Sequence, residues 1–234
     1  MISKSSCINR SSAARKIRFL FLLVIPFALT GCFEVLENVV LKNDGSGQFK
    51  YIVNFSQSKS KIDLLIEQGE VEGYAIPPKN VMRKKFEQSL EEAADIDGII
   101  EPKGKFDLDN YIIEFSCSFR SLNDLNKAAD EVKAKNEDLD QDNFVYFTYD
   151  SKKKTFLRKG DNLLKDQYNK MSKAQRMIFS GAYYTCIYRF ESEIDTILSI
   201  NSKISKNRRT SFQKLPVTNI TGNGAVLNHE IKLK

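Results

Sequence analysis

The sequence predicts an α+β fold: a mainly antiparallel sheet built from hairpins, with helices packed on it. Two observations carry that expectation. Apolar residues recur at period two at Phe49, Tyr51, Val53 and Phe55, at Tyr111, Ile113, Phe115, Cys117 and Phe119, and at Tyr184, Cys186, Tyr188 and Phe190. Turn-forming stretches of hairpin length join strand pairs, and segments of helical apolar spacing separate them. No Pro/Gly/Ser-rich linker, internal repeat or low-complexity tract divides the chain, so residues 32–234 read as one globular domain. The strand order is not legible in the sequence.

Taken in order, residues 34–42 alternate weakly, with Val35, Val39 and Leu41 on one face. Asn43-Asp44-Gly45-Ser46-Gly47 follows, and its Asp-Gly pair supplies the positive-φ positions of a tight hairpin. Gln48, Lys50 and Asn54 face away from the apolar side of the second strand. Residues 58–68 predict a short helix with Ile62, Leu64, Leu65 and Ile66 as its apolar residues, before Gly69, Gly73 and Pro77-Pro78 break the pattern. A second helix over residues 80–95 carries Val81, Phe86, Leu90 and Ala93 as its stripe, with Lys84 and Lys85 toward the polar side. Ile99 and Ile100 open a strand, residues 107–110 make a turn, and the strand from Tyr111 to Phe119 is the strongest in the chain. Ser121 caps a helix reaching residue 135, with Leu122, Leu125, Ala129 and Val132 inward. A hairpin pairs residues 144–149 with 155–158. Residues 162–179 predict a helix, 182–190 a strand, and the tail holds short strands near 196–200, 210–215 and 225–233.

The N-terminus is of another kind. Lys4, Arg10, Arg15, Lys16 and Arg18 precede an apolar run from Phe19 to Leu29, with no acidic residue among them. That is the build of a secretory signal peptide, and its apolar run of about 11 residues falls short of the roughly 20 that a spanning helix needs. Leu29-Thr30-Gly31-Cys32 closes the run. These four residues resemble the lipobox of bacterial lipoproteins: Leu at −3, small residues at −2 and −1, Cys at +1. The resemblance implies transfer of a diacylglyceryl group, with palmitate among its acyl chains, to the Cys32 thiol and then cleavage between Gly31 and Cys32, making 1–31 a lipoprotein signal peptide. The alternative is an ordinary secretory signal cut at Gly31. Phe33 rather than Asp follows the cysteine, which by the enterobacterial sorting rule implies the outer membrane. Strand residues begin within three positions of Cys32, so the tether spans about 10 Å when extended.

Removing the leader changes the charge argument. It holds five of the 36 Lys and Arg residues and none of the 30 Asp and Glu, so the formal +6 falls to 31 against 30. A nucleic-acid partner loses its support. The chain after the leader has one histidine, His229, which reads as a surface residue of the last strand rather than a catalytic base. There is no H-E-x-x-H, C-x-x-C or Walker loop, so no metal or cofactor site is expected. Asp138, Asp140 and Asp142 have the first spacings of a calcium loop, but Asn143 stands where glycine belongs and Tyr149 where the bidentate Glu belongs. Asp44-Gly45-Ser46-Gly47 joins two strands and is a turn, not a phosphate cradle. Lys203, Lys206, Arg208 and Arg209 form a basic cluster, read as an exposed loop, with an anionic partner as the alternative. Cys117 and Cys186 are candidates for a disulfide, two buried thiols being the other reading.

The mature part also resembles uncharacterised Bacteroidetes-type envelope lipoproteins, in Cys32-Phe33-Glu34-Val35, in Asp44-Gly45-Ser46-Gly47, in residues 51–56, and in Ala182-Tyr183-Tyr184-Thr185 with Ile187-Tyr188-Arg189-Phe190-Glu191. The first hairpin alone is similar to that of LppM-type envelope lipoproteins, over too short a stretch to imply more. The expectation is a non-catalytic binding or scaffolding module held to the membrane by its N-terminal lipid, with an envelope protein as partner. The alternative is a tethered hydrolase acting on glycans through paired carboxylates, for which Glu34, Glu37, Glu91, Glu92 and Asp95 are candidates. The absence of Trp counts against a sugar cleft; nine Tyr and 16 Phe soften that objection.

Overall fold

The computed structural model describes residues 33–71, 74–134, 146–160, 168–170, 172, 176, 181–199, 201–221 and 227–234. The leader, the lipobox, the acidic loop at 138–142 and most of the segment 162–179 lie outside them. The described residues belong to one compact unit, Gly31–Lys234.

The first hairpin forms where the Asp-Gly pair places it. Strand β1 is Glu34–Leu41 and β2 is Gly47–Asn54, antiparallel in register from Glu34↔Asn54 to Leu41↔Gly47. Asp44 accepts hydrogen bonds from the Ser46 N–H at 2.9 Å and from its hydroxyl at 2.7 Å, while Gly45 takes φ 87. At Gly47 any side chain would collide: a Cβ there would lie 2.0 Å from the Val40 carbonyl oxygen and 2.7 Å from the Phe119 ring.

The remaining strands are β3 (Glu70–Val71), β4 (Tyr74–Ala75), β5 (Ile99–Asp107), β6 (Ile112–Phe119), β7 (Tyr146–Asp150), β8 (Thr155–Lys159), β9 (Tyr183–Phe190), β10 (Ile194–Ile197), β11 (Lys203–Ile204), β12 (Thr210–Pro216) and β13 (His229–Leu233). Five of them join β1 and β2 in a seven-stranded sheet of order β11-β12-β9-β1-β2-β6-β5, and four make a second in the order β10-β13-β8-β7. β3 and β4 pair with each other. Ladders in both main sheets are antiparallel, with one exception at the centre of the large sheet, where β1 and β9 run parallel.

The two sheets pack face to face. Phe156 of β8 lies 5.1 Å from the Tyr188 ring and 5.4 Å from Phe190, and Phe147 of β7 reaches Phe49 at 6.2 Å. Val39, Phe119, Cys186, Ile194 and Ile231 complete a core that is almost wholly removed from water.

Helix α1 is Lys59–Gln68, preceded by a 3₁₀ turn at Ser56–Ser58; α2 is Lys79–Ala94, α3 is Leu122–Ala134 and α4 is Val217–Thr221. Ser121 caps α3 through its hydroxyl, 3.2 Å from the Asp124 N–H, and donates in turn to the Asp124 carboxylate. α3 extends the second layer: Leu122 and Leu125 enter the core, and the Asn126 amide pairs with both the N–H and the carbonyl of Phe147 on β7. That pairing occupies backbone groups of an edge strand that would otherwise be open to another chain. α2 packs on β5 through Phe86 and Phe106, 5.5 Å apart. α1 forms where the sequence predicts a short helix, with Ile62, Leu65 and Ile66 half-buried and Leu64 exposed.

Candidate functional site

The densest chemistry lies between the sheets and was not anticipated as a unit. Val35, Glu37, Val39 and Leu41 share the buried phase of β1, so Glu37 is carried into the core by strand parity. In the parallel ladder Glu37 lies opposite Cys186, with Tyr184 and Tyr188 two positions to either side on the same face of β9. Arg158 enters from β8, in phase with the buried Phe156. Arg158 donates from Nε to Glu37 Oε1 and from Nη2 to Oε2, both at 3.2 Å. Tyr188 donates its hydroxyl to Oε1, and Tyr184 to Oε2 at 2.7 Å. Arg158 Nη1 donates to the Gly160 carbonyl at 2.8 Å. Glu37 is 2% exposed and Arg158 0%.

Burial pushes the Glu37 carboxyl upward, but the Arg158 guanidinium and the two tyrosine hydroxyls outweigh it and hold the group below the usual glutamate value. Burial, with the charge of Glu37, drives the hydroxyls of Tyr51 to about 12 and that of Tyr184 well above the ordinary tyrosine value. An ionised carboxylate with four donors on its two oxygens has no proton to give and no lone pair in easy reach of a substrate. The arrangement is a lock between layers, tying β8 to β1 and β9.

The structure corrects the reading of His229 as a surface residue. His229, Ile231 and Leu233 occupy the buried phase of β13, and the ring is 1% exposed. Its Nδ1 lies 3.1 Å from the Leu227 carbonyl, which can only accept, so the proton sits on Nδ1. Nε2 then accepts from the Ser202 hydroxyl at 3.0 Å. Burial lowers this imidazole to about 4. Ser202 and His229 thus stand as a nucleophile and base would. The third partner, however, is a carbonyl rather than a carboxylate, and the ring is enclosed against Tyr188. The pair fastens the loop before β11 onto β13.

The candidate disulfide is also corrected. Cys117 on β6 pairs across to Phe49 on β2, and β1 separates β2 from Cys186 on β9. Three strand spacings amount to about 14 Å, twice what a bridge spans. Both side chains are buried and in no disulfide, and burial raises the Cys117 thiol to about 11.

Of the carboxylates proposed for glycan chemistry, Glu37 is occupied by Arg158. Glu34 points to the opposite face of β1, where it takes Lys214 at 2.9 Å and the Thr185 hydroxyl at 3.1 Å. Glu91 and Asp95 are exposed on or just after α2. Glu92 accepts from Gln88 one turn back, so the structure pairs none of these with Glu37. In the basic cluster, Lys203, Lys206 and Arg209 are exposed, while Arg208 folds back and donates to the Ile194 and Asp195 carbonyls. Gly31 and Cys32 lie outside the described residues, as do Asp138, Asp140 and Asp142. Phe33 is described: it is buried, its ring lies tilted 4.9 Å from that of Phe55, and its carbonyl accepts from the Tyr183 N–H at 3.1 Å. Among the described residues, no helix is long and apolar enough to cross a membrane.

No protein-family model and no curated protein matches the chain. Among solved structures it is similar to the folded domain of the Mycobacterium tuberculosis LppM protein, determined by NMR, at 8% identity over 89% of this chain and 92% of that one, with a TM-score of 0.41. A score of that size leaves the two folds distinguishable, and nothing about function passes between them.

Proposed function

We propose that the protein is a lipid-anchored bacterial envelope lipoprotein whose folded part serves as a non-catalytic binding or scaffolding module, held by acyl chains on Cys32. The observation that supports this most is Phe33. The residue next to the lipobox cysteine is already packed in the core and bonded to β9, so a lipid on Cys32 would join the fold with almost no intervening chain. The outer membrane is the proposed address, from Phe33 at the sorting position.

A scaffolding role fits a core in which the buried Glu37–Arg158 pair is fully occupied by its own hydrogen bonds. The partner class proposed is another envelope protein, to be sought by crosslinking and pull-down from intact cells. The anchor is tested by Cys32→Ser. The variant should lose palmitate labelling and leave the detergent phase on partitioning, while the parent protein retains both. A Cys32→Ser chain that still takes up palmitate would overturn the assignment.

A further inference from the structure

The end of the large sheet where the chain enters also carries α1, a helix the fold covers only in part: Ile62, Leu65 and Ile66 are half-buried and Leu64 is exposed. β1 starts at that end and β2 finishes there. Phe55 packs against Phe33, and α1 begins four residues later. One face of α1 is pinned to the turn after β5: the Tyr111 hydroxyl donates to Asp63, which also pairs with Lys59 at 3.2 Å and Lys79 at 3.6 Å. The helix contains Ile62, Leu64, Leu65 and Ile66, yet buries none of them, and Leu64 is 59% exposed.

α2 begins at the same end. β5 runs toward it, since Asp107 pairs with Ile112 beside Asn54, and α2 precedes β5 in the opposite direction. The first half of α2 carries Lys79, Arg83, Lys84 and Lys85, and its second half Glu87, Glu91 and Glu92. The helix is therefore basic at the end where the chain enters and acidic away from it.

We propose that this end is a membrane-docking surface, with α1 lying on the bilayer, Leu64 at the boundary of headgroups and acyl chains, and the basic start of α2 over anionic headgroups. The proposal rests on the lipid-anchor reading. A lipid on Cys32 holds that residue at the headgroups, and Phe33 is one Cα step of about 3.8 Å away. An interfacial helix sits about 5–10 Å into the same boundary, a depth at which the exposed Leu64 leaves water.

The test uses the full lipidated chain in vesicles of phosphatidylethanolamine and phosphatidylglycerol containing a nitroxide lipid. An environment-sensitive fluorophore is placed at Leu64→Cys or, as comparator, at Lys42→Cys, at the other end of β1 and about 26 Å away. The buried Cys117 and Cys186 do not compete for the label. The fluorophore at position 64 should shift to the blue and lose most of its emission to the nitroxide, while that at position 42 keeps a water-like spectrum. Equal, water-like spectra at both positions with acyl chains present on Cys32 would overturn the docking surface and leave the anchor standing. A position-64 probe that is shielded but not quenched by the lipid would mean contact between copies and would overturn it too. Absence of acyl chains on Cys32 would remove the anchor, and this inference with it.

Discussion

Glu37 and Arg158 bring opposite charges into the buried core, so each is tolerable only while the other is present. Arg158→Met should cost about 3–5 kcal/mol by urea denaturation, because it strands a buried carboxylate. Adding Glu37→Met should recover most of that loss, since two apolar residues of similar size leave no uncompensated charge. Simple addition of the two losses in a double-mutant cycle would show that the pair is not coupled. His229 gives a separate acid limb. Its folded value of about 4 lies below the ordinary 6.5, so the unfolded chain takes up a proton the folded chain refuses. Stability should therefore fall as pH drops from 6.5 to 4, by about 2 kcal/mol between pH 7 and pH 5 at 1.36 kcal/mol per pH unit. His229→Gln should flatten that slope, and an unchanged slope would contradict the assignment. Glu37, held below 4.5, adds its own loss from about pH 4.5 downward, where the unfolded chain's glutamate takes a proton before the folded one does.

At the scale of elements, the Asn126 amide closes the open edge of β7. Asn126→Ala removes two hydrogen bonds, a loss of about 2 kcal/mol, and should also make the protein associate at high concentration by exposing that edge. Sedimentation that stays monomeric would contradict the second part. The strands and the first turn were legible because alternation and an Asp-Gly pair act locally, and β1, β2, β6 and β9 form close to where the sequence placed them. The parallel pairing of β1 with β9 has no local signal, and neither has Arg158, which meets Glu37 across 121 residues. What was legible, and missed, is parity. Glu37 follows Val35 and precedes Val39 in one buried phase, and His229 stands in phase with Ile231 and Leu233 behind the polar Asn228, Glu230 and Lys232. α1 forms where its spacing predicts, and Ile62, Leu65 and Ile66, three and four apart, share its half-buried face while Leu64 stands off that face and is exposed. The short α4 carries no distinguishing pattern of its own, and tertiary contact through the Val217 N–H to Ala182 fixes it.

For the whole molecule, the proposed anchor and the position of Phe33 together set the distance from the membrane. A domain of this size has a radius of gyration of about 17 Å, and a tether of one residue cannot lift it clear of the headgroups. Under that proposal a partner would meet the far end of the sandwich or a surface beside it in the membrane plane. Everything in that picture depends on what is attached to Cys32. The intact mass of the protein extracted from membranes tests this most directly. The account predicts a chain that begins at Cys32 and carries the added mass of a diacylglyceryl group, with or without a further acyl chain on its amine. A chain that retains residues 1–31, or one cut nearby with an unmodified Cys32 thiol, would contradict it.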